Sequence, residues 1–103
     1  MAASRPLTPP RIHRAARAEI LATLAQYDAI DPALAVDLRK RIEAAYLRIG
    51  MRPLQFPPHL RGTRQCLLRR FPFSIVFTVE PELVVLAFAH QRRRPGYWSR
   101  RKP

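Results

Sequence analysis

The chain has 103 residues, of which 48% are apolar and 25% charged, and a net charge of +12. That size fits one globular domain that buries only about 60–70% of its unfolded surface, so stabilisation by a partner is expected. The lone Cys66 excludes a disulfide framework and a cysteine metal cluster; no apolar run is long enough to span a bilayer, and residues 1–10 lack the apolar core of a secretory signal, so a cytoplasmic location is expected.

Residues 1–11 contain three prolines. Pro9-Pro10 cannot donate ladder hydrogen bonds, so this stretch reads as a loose arm or a weak edge strand. Over residues 12–29, Ile12, Ala16, Ile20, Leu24 and Tyr27 recur at spacings of three and four, which makes one apolar helical stripe. Asp31-Pro32 restarts the chain, with Asp31 as an N-cap and Pro32 in the first turn, where its missing N–H costs nothing. Leu34, Leu38, Ile42, Ala45 and Ile49 form a second stripe, and Gly50 is the expected stop. So short a connection folds two helices into an antiparallel hairpin.

Residues 51–62 carry Pro53, Pro57 and Pro58 and read as a loop. Three strands are expected after it. Residues 64–70 form a short mixed one. Residues 73–80 alternate, with Phe73, Ile75, Phe77 and Val79 on one face. Residues 83–90 are apolar on both faces, as in a central strand covered on both sides. Glu80-Pro81-Glu82 is the turn between the last two, and Pro72 marks a kink or bulge before them. The predicted architecture is α+β, a helical hairpin packed on a small twisted antiparallel sheet. One domain spans residues 12–98, and a basic, disordered tail follows over residues 99–103.

Charge is unevenly placed. Arginine makes up 17 of the 19 basic residues, and residues 44–103 hold twelve basic groups against two acidic ones. Residues 1–43 hold seven against five. A field concentrated in this way attracts nucleic acid or an acidic protein. It is densest just after the last strand, at His90, Arg92, Arg93, Arg94, Tyr97 and Trp98.

The run Arg70-Phe71-Pro72-Phe73-Ser74-Ile75-Val76-Phe77 is followed by Val84-Val85-Leu86-Ala87-Phe88-Ala89-His90-Gln91-Arg92-Arg93 and then by Pro95 and Trp98. These residues resemble the C-terminal motif of the RelE/ParE superfamily of type II toxins, in its ParE-like branch. Residues 15–27 resemble the first family helix, and residues 42–58 the second helix with its proline-containing loop. The likeness covers residues 12–98. Residues 4–11 make a poorer first strand than the family has, and Arg94 stands where many members carry an acid.

The resemblance implies a growth-inhibiting toxin, of the kind linked to plasmid stabilisation, held inactive by an acidic, partly disordered antitoxin. ParE-like members act on DNA gyrase. RelE-like members cut mRNA in the ribosome. Metal-free RNA cleavage needs a base, cations for the phosphorane and an acid for the leaving oxygen. Arginine is a poor base, and neither lysine falls on a predicted strand. The nuclease set would be His90 or Tyr97, with Arg70 and Arg92. The partner-binding set is Arg92, Arg93, Trp98, Arg64 and Arg69. His90 also reads as a residue that bonds backbone and orients the loop, and Trp98 as a plug against the sheet. His13, His59 and His90 share no metal-ligand spacing, so neither a metal nor any other cofactor is expected.

Overall fold

The computed structural model describes residues 9–103. Most of the expected N-terminal arm lies outside the described residues. Its end forms a two-residue strand, β1 (Arg11–Ile12), and the main helices follow as α1 (Arg14–Ile30) and α2 (Pro32–Met51). Three strands complete the fold: β2 (Arg64–Leu67), β3 (Phe73–Thr78) and β4 (Val84–His90). The sheet order is β1-β4-β3-β2.

The sheet is mixed and not purely antiparallel. β1 runs parallel to β4, whereas β2–β3 and β3–β4 are antiparallel. Ile12, the first residue of the apolar stripe, therefore lies in a strand and not in the helix. The edge of β4 explains this. Arg11 N–H donates to the Leu83 carbonyl at 3.0 Å, and His13 N–H to the Val85 carbonyl at 2.8 Å. A strand edge offers these amides firm partners, whereas the first amides of a helix have none within it.

His13 turns the chain from strand into helix. It is the N-cap of α1, and its ring Nδ1 accepts a hydrogen bond from Ala15 N–H at 3.0 Å. Asp31 caps α2 in the expected way, with Oδ1 accepting from Ala33 N–H at 3.0 Å and Pro32 in the first turn. The end of α2 differs from expectation. The helix passes through Gly50 to Met51, and Arg52 leaves it at φ −144°. Pro53 causes the stop, because the residue before a proline is pushed out of the helical region.

The main core lies between the hairpin and one sheet face. Ala16, Ile20 and Leu24 of α1 meet Leu38, Ile42, Ala45 and Ile49 of α2 over Phe73, Ile75, Phe77, Val85 and Phe88. The alternation expected for β3 therefore puts the right residues inward. Cys66 is buried in this core as a small filler, and burial raises the pKa of its thiol.

The second face is covered too. Val76, Val84, Leu86 and Ala87 pack with Trp98, and Tyr97 lies against them. This arrangement needs a fault in the ladder. Val76 pairs with Ala87 and Phe77 with Val85, which leaves Leu86 as an extra residue. Leu86 and Ala87, consecutive in sequence, thus both join the second cluster. A β-bulge has this effect on side-chain direction.

β2 stops at Leu67, short of the expected residue 70. A tight turn through Arg70, at φ 71°, replaces the last three residues. The tail differs more. Arg101 is only partly exposed and folds back onto β4.

The cap of α1 makes stability depend on pH. Desolvation lowers the His13 pKa, with Arg101, Arg14 and Arg11 acting the same way and Glu19 opposing them. Nδ1 accepts only while it is unprotonated. The folded state therefore takes up a proton less readily than the unfolded chain. Stability is full above the unfolded value near 6.5 and declines as pH falls below it toward the lower folded value. Urea titrations at pH 7.5 and pH 5.5 should show a lower midpoint at the acid end. The difference should shrink in His13→Asn, whose amide oxygen caps without titrating.

Candidate functional site

One end of the sheet gathers most of the expected site residues. Phe73 at the start of β3 pairs with His90 at the end of β4. The turn before β3 and the loop after β4 thus lie side by side, and Gln91 N–H donates to the Pro72 carbonyl at 2.8 Å. Arg69 and Arg70 come from the first segment; Arg92, Arg93 and Arg94 come from the second. All five are exposed.

The loop after β4 is tightly wound. Arg93 N–H donates to the His90 carbonyl at 2.9 Å and Tyr97 N–H to the Arg94 carbonyl at 3.3 Å. Gly96 takes φ 77°, a value that L side chains adopt only with strain. The His90 ring completes the turn, with Nδ1 accepting from Arg92 N–H at 3.0 Å. Its ring also meets the Phe73 ring edge-on at 5.3 Å, on the face of the sheet that bears the main core. This is the orienting geometry: the imidazole holds the arginine loop.

A cleft of about 280 Å³ opens on the other face, behind the loop. His59, Gln65, Ser74, Arg93 and Trp98 are among the residues around it, with His90 at its rim. Ser74 and Ala89 pair across the strands and alternate with Phe73 and His90. Strand alternation therefore turns the His90 ring away from the cleft floor.

The remaining expected residues take separate places. Arg64 is half-buried, and its Nη1 donates to the Phe56 carbonyl at 2.5 Å, which ties β2 to the loop after α2. Arg70 pairs with Asp37 of α2 at 3.1 Å. Trp98, expected among the partner contacts, is only 3% exposed and fills the second core. Its indole is a plug, because so large an apolar ring stabilises a small domain most when it is buried.

Tyr97 is the most constrained member. Its hydroxyl donates to Glu19 Oε2 at 2.7 Å. Its ring has the Arg93 guanidinium 4.0 Å from the centroid and that of Arg101 at 5.1 Å. Burial raises the pKa of the phenol, and the hydrogen bond to Glu19 and its charge add to the rise. The group that would relay a proton is thus held protonated and already donates its hydrogen.

Glu19 and Arg101 were not among the expected site residues. Glu19 Oε1 accepts from Phe88 N–H at 3.1 Å and from Arg101 Nη1 at 2.8 Å, and Oε2 accepts from Arg101 Nη2 at 3.0 Å. Burial alone would raise the Glu19 pKa, but the bonds from Arg101, Tyr97 and Phe88 together lower it. One sequence signal points to it. Glu19 lies between Ala16 and Ile20 on the stripe that faces the core, a costly place for a carboxylate without partners.

These placements separate packing from contact. Trp98→Ala should cost about 3–5 kcal/mol of folding stability, as large buried aromatics do. Arg92→Ala, on the exposed loop, should stay within about 0.5 kcal/mol of the parent. Chemical denaturation of the two variants, side by side, measures the contrast.

The sequence matches no family model and no curated protein. The structure does have a relative. A chain from the chromosomal ParDE TA system from P. aeruginosa aligns with a TM-score of 0.70 at 21% identity, over 82% of this chain and 96% of that one. The likeness is one of fold, two helices on a small mixed sheet, in line with the α+β fold that the sequence resemblance implied.

Proposed function

We propose that this chain is the toxin of a type II toxin–antitoxin pair of the ParE type. It inhibits growth in the cytoplasm by gripping a target protein, DNA gyrase, and an acidic, partly disordered antitoxin neutralises it. The main support is the fold shared with a chain of the ParDE TA system across nearly all of that chain. Arg92, Arg93 and Arg94, exposed on a loop held by backbone bonds, supply the gripping surface. Arg69 stands at the same end of the sheet. Preorganised guanidinium groups suit carboxylates, since a rigid fork loses little freedom on binding.

The geometry offers less to an RNA-cutting reaction of the RelE-like kind. Among its expected members, Tyr97 already donates its hydroxyl proton to Glu19 and Arg70 pairs with Asp37. His90 uses Nδ1 to hold the loop. Arg92 is exposed, but a guanidinium stabilises charge and does not act as a base near neutral pH.

The two readings separate on induction. Expression of the chain should arrest growth with DNA-damage signalling, and the purified protein should inhibit gyrase supercoiling. The double change Arg92→Ala and Arg93→Ala should relieve both while the melting temperature holds. Codon-periodic mRNA cleavage without a damage response would overturn the gyrase reading in favour of the nuclease.

A further inference from the structure

Glu19 stands on α1, more than seventy residues before the arginine loop, yet every lone-pair direction of its carboxylate is engaged there. The four bonds come from Phe88 N–H, the Tyr97 hydroxyl and both terminal nitrogens of Arg101. Its partner Arg101 also donates to the Leu86 carbonyl at 2.9 Å, at the bulge. Both side chains of this ion pair are 19% exposed, so water competes weakly.

We infer that Glu19 is the positioning residue of the arginine loop: through the Tyr97 hydroxyl it fixes the phenol ring as the surface on which the Arg93 guanidinium lies. The proposal rests on the reading of Arg93 as a partner contact. The chain of contacts is continuous. Glu19 pins the hydroxyl end of Tyr97. Buried Trp98 anchors the backbone beside it. The ring is therefore held at both ends, and Arg93 lies 4.0 Å from its centroid, within range of a cation–π attraction.

Arg93 has little else to order it. The ion pairs among the described residues use Arg11, Arg41, Arg70 and Arg101. An arginine left loose on a loop would have to lose its rotamer freedom when a partner binds. The ring removes part of that freedom beforehand. Arg101 lies 5.1 Å from the same centroid and locks the carboxylate in place. Glu19 does not touch the partner in this scheme. It acts on Arg93 through Tyr97.

The test uses the full chain labelled for NMR, with Glu19→Gln, Tyr97→Phe and Tyr97→Leu. A guanidinium held against a ring places the neighbouring side-chain protons of Arg93 in its ring current, so they should resonate upfield in the parent. Tyr97→Leu should abolish the displacement. Glu19→Gln cannot accept all four bonds, and Tyr97→Phe keeps the ring but loses its tether. Both should lose most of the displacement, and growth inhibition under graded induction should weaken several-fold. Should Glu19→Gln fail to fold, Tyr97→Phe decides alone, since it removes only one hydroxyl.

An unchanged Arg93 signal in the tether variants would overturn the proposal. A collapsed signal with undiminished growth inhibition would overturn it as well, because Arg93 would then be oriented to no effect. If the parent chain itself does not inhibit growth, the toxin reading fails while the NMR measurement still decides whether Glu19 positions the loop.

Discussion

The constraint on which the other elements depend is the burial of β4. Val84, Val85, Leu86, Ala87, Phe88 and Ala89 are all buried, so the strand is covered on both faces. Each of its amides and carbonyls then needs a partner, because unpaired backbone groups away from water are costly. β3 supplies one edge. β1 supplies the other only as far as Val85, since it is two residues long. Beyond that point the edge is completed by side chains: Glu19 accepts from Phe88 N–H, and Arg101 donates to the Leu86 carbonyl. An acid and a base from opposite ends of the chain thus take over where the strand ends. Their mutual attraction brings the C-terminal segment down over the second face, where Trp98 and Tyr97 cover it.

This division decides which charges are available to a partner. Exposed ion pairs contribute little, about 0–1 kcal/mol, because water screens them. The Arg70–Asp37 pair is of this kind, with the Arg70 side chain 64% exposed. The Glu19–Arg101 pair is partly buried, and removing one member costs more than at an exposed pair because the other is left without its partner in a less solvated place. Arg101 is therefore structural despite lying in a basic tail. Arg92 and Arg94 remain in solvent, and Arg93 is half engaged, through its face contact with Tyr97. Pairing inside the fold leaves the net charge of +12 unchanged, since each pair cancels one acid against one base, but it decides which of the 19 basic groups a partner can meet.

Much of this was legible in the sequence where local periodicity and burial agree. The two stripes marked α1 and α2, Asp31-Pro32 marked their junction, and the double-faced apolar run over residues 83–90 marked the central strand. Errors arose where a distant partner overrode the local rule. Ile12 fits the helical spacing but is drawn into a strand by the edge of β4. Gly50 has the chemistry of a stop, but Pro53 sets it. The tail looks like a solvated charge run, but Glu19, some eighty residues earlier, and the Leu86 carbonyl hold Arg101. Periodicity carries no information about such long-range pairs. A carboxylate on an inward helical face is the one local hint, and it says that a partner exists without saying which.

The candidate site shows the same interplay at the level of chemistry. Catalysis by proton transfer needs side chains whose protons are free to move near the operating pH. Holding a loop rigid needs those same side chains to commit their polar atoms, as donors or acceptors, to fixed bonds. Tyr97 serves rigidity, since its proton lies between the phenol and a carboxylate whose hydrogen bonds favour its charged form. His90 does so as well, through the amide of Arg92. Beside the His90 ring, what is exposed at that end of the sheet is mainly guanidinium, which binds anions firmly and exchanges protons poorly. The bonds that order the loop thus commit Tyr97 Oη and His90 Nδ1 to structure, which favours the recognition role proposed for it over acid–base work.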